Sequence, residues 1–450
     1  MHFKLLLILT ASLLNAQTYY ESLNGIDFNS YNARGLSMGS SSNIVDRSAL
    51  SILVNPSNIS LLEEQGVFIS SSYFGNSNLE RRGIIIKDSF EDNLAETDYV
   101  KNSNFFSSLA FGIKYVRKIN SNLNFALAAS SVPFKSYNYN YKEEVRGSAS
   151  NLGPTSRDPL LGYHSIESGG TQTLSNFGSS LSFISDGITL SFGLSVNYIN
   201  SISVSEEVSI DKVTSDGDPD DNYFSNIIPY KVVYQLGSDE FLTFGHSIKF
   251  DRYLLSFSLQ SPSTIRKKFL SGNDSSYFSF NSTNSTISFL ELYPEESIIK
   301  QYLDNYLEIK LNNIQNPEKY NVGFSVLNPE KSNFNFIFNY EFYKHKESYI
   351  LKSYNRYSIG IEHYTFQGTP LRFGIEYKTS PFKPYVASIS SFSAGSGFEI
   401  SSLVFDYGVK YSQLKYNFPD LFPVINNLFY ELDTVNESCL DFIGTVTYQF

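Results

Sequence analysis

The chain has 450 residues, a net charge of −11 and a pI near 5.1, and its Lys and Arg form no block, which excludes a phosphate-binding face and with it nucleic acid as a partner. A single cysteine, Cys439, excludes an intrachain disulfide, and no apolar run reaches the roughly 18 residues of a membrane helix. The 33 Tyr and 38 Phe nevertheless coexist with a mean hydropathy of −0.19, as expected where lipid-facing aromatic rows alternate with a polar lumen.

In chain order, Met1 to Ala16 reads as a secretion signal: Lys4 precedes the apolar run Leu5 to Leu9, and Asn15-Ala16 offers a small residue for cleavage before Gln17. With no membrane helix to follow, a membrane protein of this kind crosses as strands. Residues 17–65 lack sustained alternation and carry small residues and turn formers, so they form a compact segment ahead of a barrel spanning 66–450.

The first predicted strand is Gly66 to Tyr73, and alternating pairs joined by tight turns follow. Phe105 to Tyr115 pairs with Leu123 to Leu127 around Asn120-Ser121-Asn122, and Leu174 to Ile184 pairs with Ile188 to Tyr198 around Asp186-Gly187. Leu242 to Phe250 pairs with Tyr253 to Leu259 across Asp251-Arg252; His246 lies on that apolar row as an interfacial side chain. Tyr320 to Val326 faces Phe334 to Phe342 across Asn328-Pro329, Tyr357 to Ile361 faces Leu371 to Tyr377 across Gln367-Gly368, and Phe392 to Ile400 faces Leu403 to Tyr411. The last strand, Asp441 to Phe450, puts Phe442, Gly444, Val446, Tyr448 and Phe450 on one face and Thr445, Thr447 and Gln449 on the other, and ends on an aromatic. This predicts an all-β, antiparallel transmembrane barrel of about 14 strands, an even number as bacterial barrels have.

The short turns separate four long stretches, Gly75 to Asn104, Ser130 to Thr173, Asn200 to Glu240 and Gln260 to Lys319, read as outer loops. Short periplasmic turns with long outer loops place both termini on the periplasmic side of a bacterial outer membrane. The expected partners are outer-membrane lipid, hydrophobic small molecules and the barrel-assembly machinery, met through the strand ending at Phe450; the expected state is a monomer. In the longest stretch, Ile298, Ile299, Tyr302, Leu303, Tyr306 and Leu307 recur at helical spacing after Pro294-Glu295-Glu296, which predicts an amphipathic helix. Near the end of the third strand, Pro133 cannot donate to a ladder and weakens pairing there.

The segment before the barrel carries Asn32-Ala33-Arg34-Gly35-Leu36-Ser37-Met38-Gly39, then Val45-Asp46, then Asn55-Pro56-Ser57. It resembles the N-terminal plug of the FadL-like long-chain fatty-acid transporters, whose usual form is Ala-Arg-x-x-x-Met-Gly-Gly, an Asp-rich turn and Asn-Pro-Ala-Gly. Ser40, Arg47 and Ser57-Asn58 depart from that form. The resemblance implies a plug inside the lumen with Arg34, Gly35, Gly39, Asp46, Asn55 and Pro56 holding or gating it. It also implies a lateral opening at Pro133, against the alternative that this proline only marks where the strand enters its outer loop, and a hydrophobic capture groove on Ile298, Ile299, Tyr302, Leu303 and Tyr306, against the alternative that this helix only caps the mouth. Gly35 and Gly39 allow tight turns, Asn55 bonds locally to backbone, and Arg34 in a dry lumen needs a carboxylate or carbonyls. Shuttle proteins of type IX secretion related to PorV share a similar opening, so the competing function is a shuttle that holds a protein on its outer loops.

No catalytic or cofactor motif emerges. His2, His164, His246, His345 and His363 are scattered, there is neither HExxH nor GxSxG, and no metal is expected. The acidic run Asp216 to Asp221 lacks the glycine and terminal glutamate of an EF-hand loop and reads as a solvated loop.

Overall fold

A computed structural model of the chain describes residues 19–28, 30–41, 47–61, 64–90, 92–147, 158–213, 221–272, 279–282, 285–327, 334–346, 351–366, 368–382, 384–424 and 432–450. The signal segment, Val45-Asp46, the turn residues Asn328-Pro329 and Gln367, and positions 216–220 of the acidic run lie outside the described residues.

Fourteen antiparallel strands close on themselves. They are β1 (Gly66–Lys87), β2 (Asn93–Asn120), β3 (Leu123–Ser136), β4 (Thr171–Ser185), β5 (Ile188–Ile199), β6 (Asp239–Phe250), β7 (Tyr253–Gln260), β8 (Glu318–Val326), β9 (Phe334–Lys344), β10 (Tyr354–Tyr364), β11 (Pro370–Lys378), β12 (Ile389–Ile400), β13 (Leu403–Phe418) and β14 (Asp433–Gln449). Closure runs from Phe68 opposite Gln449 to Gly83 opposite Thr434, so no edge is left open to lipid along β1 and β14. Along β5, Ile188, Leu190, Phe192, Leu194, Val196 and Tyr198 are exposed while Ser191, Ser195 and Asn197 are buried. This is the alternation that lipid outside and a packed lumen impose. The tight turns follow their residues: Asp186 (φ 48°) and Gly187 (φ 79°) sit together in the left-handed region, as a two-residue hairpin requires.

All four stretches read as outer loops carry strand. β1 and β2 run on well past Tyr73 and begin well before Phe105, replacing most of the stretch read as Gly75 to Asn104. Above the lipid belt the outward row becomes Gly75, Ser77, Lys101 and Ser103, so the apolar alternation that marks a membrane strand fades while pairing continues. Likewise Tyr139–Arg146, Leu160–Gly169, Ile202–Lys212, Tyr230–Leu236 and Lys267–Ser271, drawn from the other three long stretches, form a second, five-stranded sheet at the long-loop end. Its buried row includes Tyr139, Tyr141, Val204, Val208, Val232 and Tyr234.

The predicted helix is α3 (Ile298–Leu311), capped by the Ser297 side chain on the Lys300 amide; Pro294-Glu295-Glu296 form the turn before it. Ahead of the barrel, α1 (Tyr19–Asn24) and α2 (Ala33–Ser37) are followed by 3-10 turns at Ala49–Leu53 and Pro56–Leu61.

Candidate functional site

Residues 33–41 and 47–61 pack inside the barrel lumen. Their backbone docks where the wall has no side chains: Gly193 faces Gly245, Gly360 faces Gly374 and Gly395 faces Gly408 across neighbouring strands. A Cβ added at Gly360 or Gly408 would stand 2.6 Å from the Met38 or Ala33 carbonyl oxygen, so these three glycine rungs are seats for the luminal segment. Small hydroxyls complete the contact: Thr445 Oγ1 accepts from the Ala33 amide at 2.9 Å, Ser393 Oγ from the Gly39 amide at 2.9 Å, and Ser57 Oγ meets Ser247 Oγ at 2.6 Å.

Among the predicted positions, Gly39 has φ 75° and makes the expected turn, whereas Gly35 lies inside α2, where close packing against Ser30 and Asn32 excludes a side chain. Asn55 caps locally, accepting from the Ser57 amide at 3.1 Å and from Ser57 Oγ at 2.7 Å. Pro56 opens its 3-10 turn against Gly193.

Arg34 finds its carboxylate. It donates through Nε at 3.1 Å and Nη2 at 2.7 Å to Glu362, which also accepts from Arg372 at 2.7 Å and Asn335 at 2.7 Å; Arg372 continues to Asp406 at 2.6 Å. Glu362 is fully buried, and these donated bonds, with a further one from the Tyr364 hydroxyl, make its charge tolerable. Toward the short-turn end, Arg47 holds Glu64 at 2.5 Å and Glu399 at 2.7 Å, tying the luminal segment to β12. Arg34, Arg47, Arg372 and Asp406 line a cavity of about 300 Å³ at that end. These wall partners were not anticipated.

On the other side of α2 lies a more apolar cavity of about 110 Å³, lined by Phe28, Leu36, Phe74, Leu414 and Ile443, with Glu376, Lys410 and Asp441 at one side. Phe28 meets Phe74 edge to face at 5.6 Å. The cavity borders a break in the wall. The β2–β3 ladder stops at Phe111 opposite Ser131, and β3 beyond it pairs instead with Ile26 and Asp27 of the luminal segment. Phe106, Ser107 and Ser108 of β2 and Ser136 of β3 line the cavity along this break, and Ser107 is also exposed on the outer surface. Pro133 sits two residues past the last rung. Its strand neither ends nor loses its other neighbour there: β3 stays paired with β4 through Pro133 opposite Thr173 to Ser136 opposite Thr171, with a register shift before Lys135. Lys135 reaches Asp27 at 2.7 Å and so pins the luminal strand to the wall at the break.

Of the α3 positions, Ile299, Tyr302, Leu303 and Tyr306 are buried and Ile298 is exposed. Tyr302 packs on Tyr385 at 4.9 Å and on Phe418, and Tyr306 on Phe418 at 6.4 Å. The stripe therefore covers other chain segments in this arrangement and lines none of the cavities described above. Its C-terminal end is fixed to the second sheet: Lys310 pairs with Glu206, Tyr230 donates to Glu206 at 3.0 Å, and Lys267 donates to the Lys310 carbonyl at 2.6 Å. Burial and the Lys310 charge push Lys267 down to about 7, against the pull of Glu206. Elsewhere, His246 stacks on Phe192 at 4.5 Å in the outward row.

No family model and no curated protein sequence matches this chain. Solved structures do. A Pseudomonas aeruginosa FadL homologue superposes with a TM-score of 0.53 at 11% identity, covering 95% of this chain and all of the other. The chain has the FadL-like barrel fold. The deltaS2 mutant of the TodX monoaromatic hydrocarbon channel superposes with a TM-score of 0.51 at 10% identity, over 93% of this chain and 99% of that one. At these identities the likeness establishes a shared architecture.

Proposed function

We propose that this FadL-like barrel is an outer-membrane channel for hydrophobic compounds, with the segment 17–65 as its plug, both termini periplasmic and the second sheet and α3 outside as a lid. The observation that carries the reading is the apolar cavity beside the unpaired stretch of wall between β2 and β3: a hydrophobe there can pass sideways into lipid without crossing the charged layer of Arg34, Glu362 and Arg372. Capture at α3, release past Pro133 and gating by the plug are the steps assigned to the residues identified in the sequence, and the relatives in fold include a hydrocarbon channel. The chain acts as a monomer without cofactor.

The test is uptake of labelled toluene by cells carrying the protein in their outer membrane. Uptake above that of control cells, lost when Ser108→Trp fills the cavity, supports the channel. Equal uptake by wild type and Ser108→Trp removes the lateral route; copurification with a secreted protein and no uptake favours a secretion shuttle.

A further inference from the structure

The cavity beside the wall break is apolar over most of its surface but not at Glu376. This carboxylate projects inward from β11 and is 3% exposed, and its Oε2 has no hydrogen-bond partner among the described residues. Its two nearest cations stand off: Arg356 Nη1 lies 3.9 Å from Oε2 and Lys410 Nζ lies 3.9 Å from Oε1, both beyond hydrogen-bond reach. The Glu376 carboxylate lines the cavity, so a donor bound there can reach it. A buried acceptor of this kind gains from any donor that reaches it.

The remaining charges around the cavity bear on what that donor can be. Four carboxylates, Glu21, Asp27, Glu376 and Asp441, line it against two lysines, Lys378 and Lys410. Both lysines are already engaged: Lys378 with Glu21 at 3.2 Å and Lys410 with Asp441 at 3.3 Å. A ligand carboxylate would enter as a fifth negative group with both lining lysines already paired, and the desolvated setting magnifies that repulsion. A neutral hydroxyl has the opposite fit, an O–H for Glu376 and no charge to desolvate. The volume of about 110 Å³ suits a single small ring, since an apolar cavity of roughly 150 Å³ takes up benzene.

Resting on the channel reading above, we infer that this cavity selects small hydroxyl-bearing hydrophobes, phenols or short alcohols, by donation to the Glu376 carboxylate, and that it rejects carboxylates of the same size. The ring lies among Phe28, Leu36, Phe74 and Ile443, with the hydroxyl turned to β11. Glu376 thus sets specificity without any covalent step.

Three probes share one body: toluene, p-cresol and 4-methylbenzoate. Their binding to the full chain in nanodiscs, measured by equilibrium dialysis against empty nanodiscs, should rank p-cresol at least tenfold tighter than toluene, with 4-methylbenzoate weakest. In Glu376→Leu the ratio of cresol to toluene affinity should fall to near one, and in Glu376→Gln, which keeps a carbonyl acceptor, to an intermediate value. Heat-modifiable gel mobility reports that each variant is folded. An unchanged ratio in folded Glu376→Leu, 4-methylbenzoate binding as tightly as p-cresol, or no binding by any probe overturns the inference. Proteoliposome uptake of toluene separates the two proposals: uptake without a cresol preference leaves the channel standing and removes the Glu376 selection, whereas no uptake of any probe removes the channel itself.

Discussion

Replacing Arg34 by Met should loosen the luminal segment without unfolding the barrel. Of the bonds Glu362 accepts, Arg34 supplies two, at 3.1 and 2.7 Å. Arg372 and Asn335 keep two others, so the buried carboxylate is never left bare. Two charge-assisted bonds at about 1.5 to 3 kcal/mol each would suggest about 3 to 6 kcal/mol, but water reaches the partly exposed Arg34 and offsets part of that, leaving about 2 to 4 kcal/mol. Such a loss converts to about 30- to 900-fold faster opening-limited amide exchange if the segment leaves as a unit. The assay is hydrogen exchange of residues 33–41 in nanodiscs, with the β10 and β11 amides as internal reference. Glu362→Leu, which also takes a partner from Arg372 and Asn335, should cost more and spread the loss into β10 and β11. Unchanged protection at 33–41 in Arg34→Met would refute the idea that this pair holds the segment.

Other outcomes follow from the same geometry. Phe373→Arg, mid-row on the outward face of β11, should cost about 2 to 4 kcal/mol in a lipid unfolding titration, against about 0 to 1 for Tyr377→Arg nearer the row's end. A disulfide between cysteines placed at Phe111 and Ser131, direct partners on the last β2–β3 rung, should slow hydrophobe uptake and reverse on reduction; full uptake in the oxidised protein excludes widening at that rung. Ile299→Asn with Leu303→Asn should free α3, raising its amide exchange and slowing hydrophobe uptake while barrel mobility on gels stays normal; unchanged or faster uptake instead would leave the helix a lid only and remove capture at the stripe. Because Lys267 is held down to about 7, the unfolded chain carries more protons there above that pH, so attachment of α3 to the second sheet should strengthen from pH 7 toward 9. Exchange of α3 amides, corrected for intrinsic rate, should slow accordingly and lose this trend in Lys267→Met.

The lipid belt was legible because lipid permits one pattern: Ile188 through Tyr198 must be apolar at every second position. Register was legible wherever a tight turn such as Asp186-Gly187 pinned it. Above the belt that constraint lapses, and Ser77 or Lys101 reads as loop although both are paired. The second sheet was hidden for a related reason, since its rows mix Val204 and Val208 with the buried, lysine-paired Glu206. Arg34's need for a carboxylate was visible, but Glu362 lies 328 positions away. A usable signal did exist on the inward rows. Glu341 stands opposite Arg356, Glu362 opposite Arg372 and Lys410 opposite Asp441, so charges on the face that should be polar and small were pairing across single rungs. The wall break was foreshadowed only at Pro133; that the luminal segment would take over pairing at Lys135 and Ser136 depends on a two-residue strand without any periodicity to read.

The most direct measurement compares two solutes of similar size in proteoliposomes holding the full chain: toluene and a polar counterpart such as glycerol. A lumen filled by residues 33–41 and 47–61 and layered with the pairs of Arg34, Glu362 and Arg372 should stay closed to the polar solute, while the cavity and wall break speed entry of the apolar one. Faster toluene entry with glycerol flux at the level of empty liposomes is the predicted result. Rapid glycerol flux, or toluene entry no faster than through lipid alone, contradicts it.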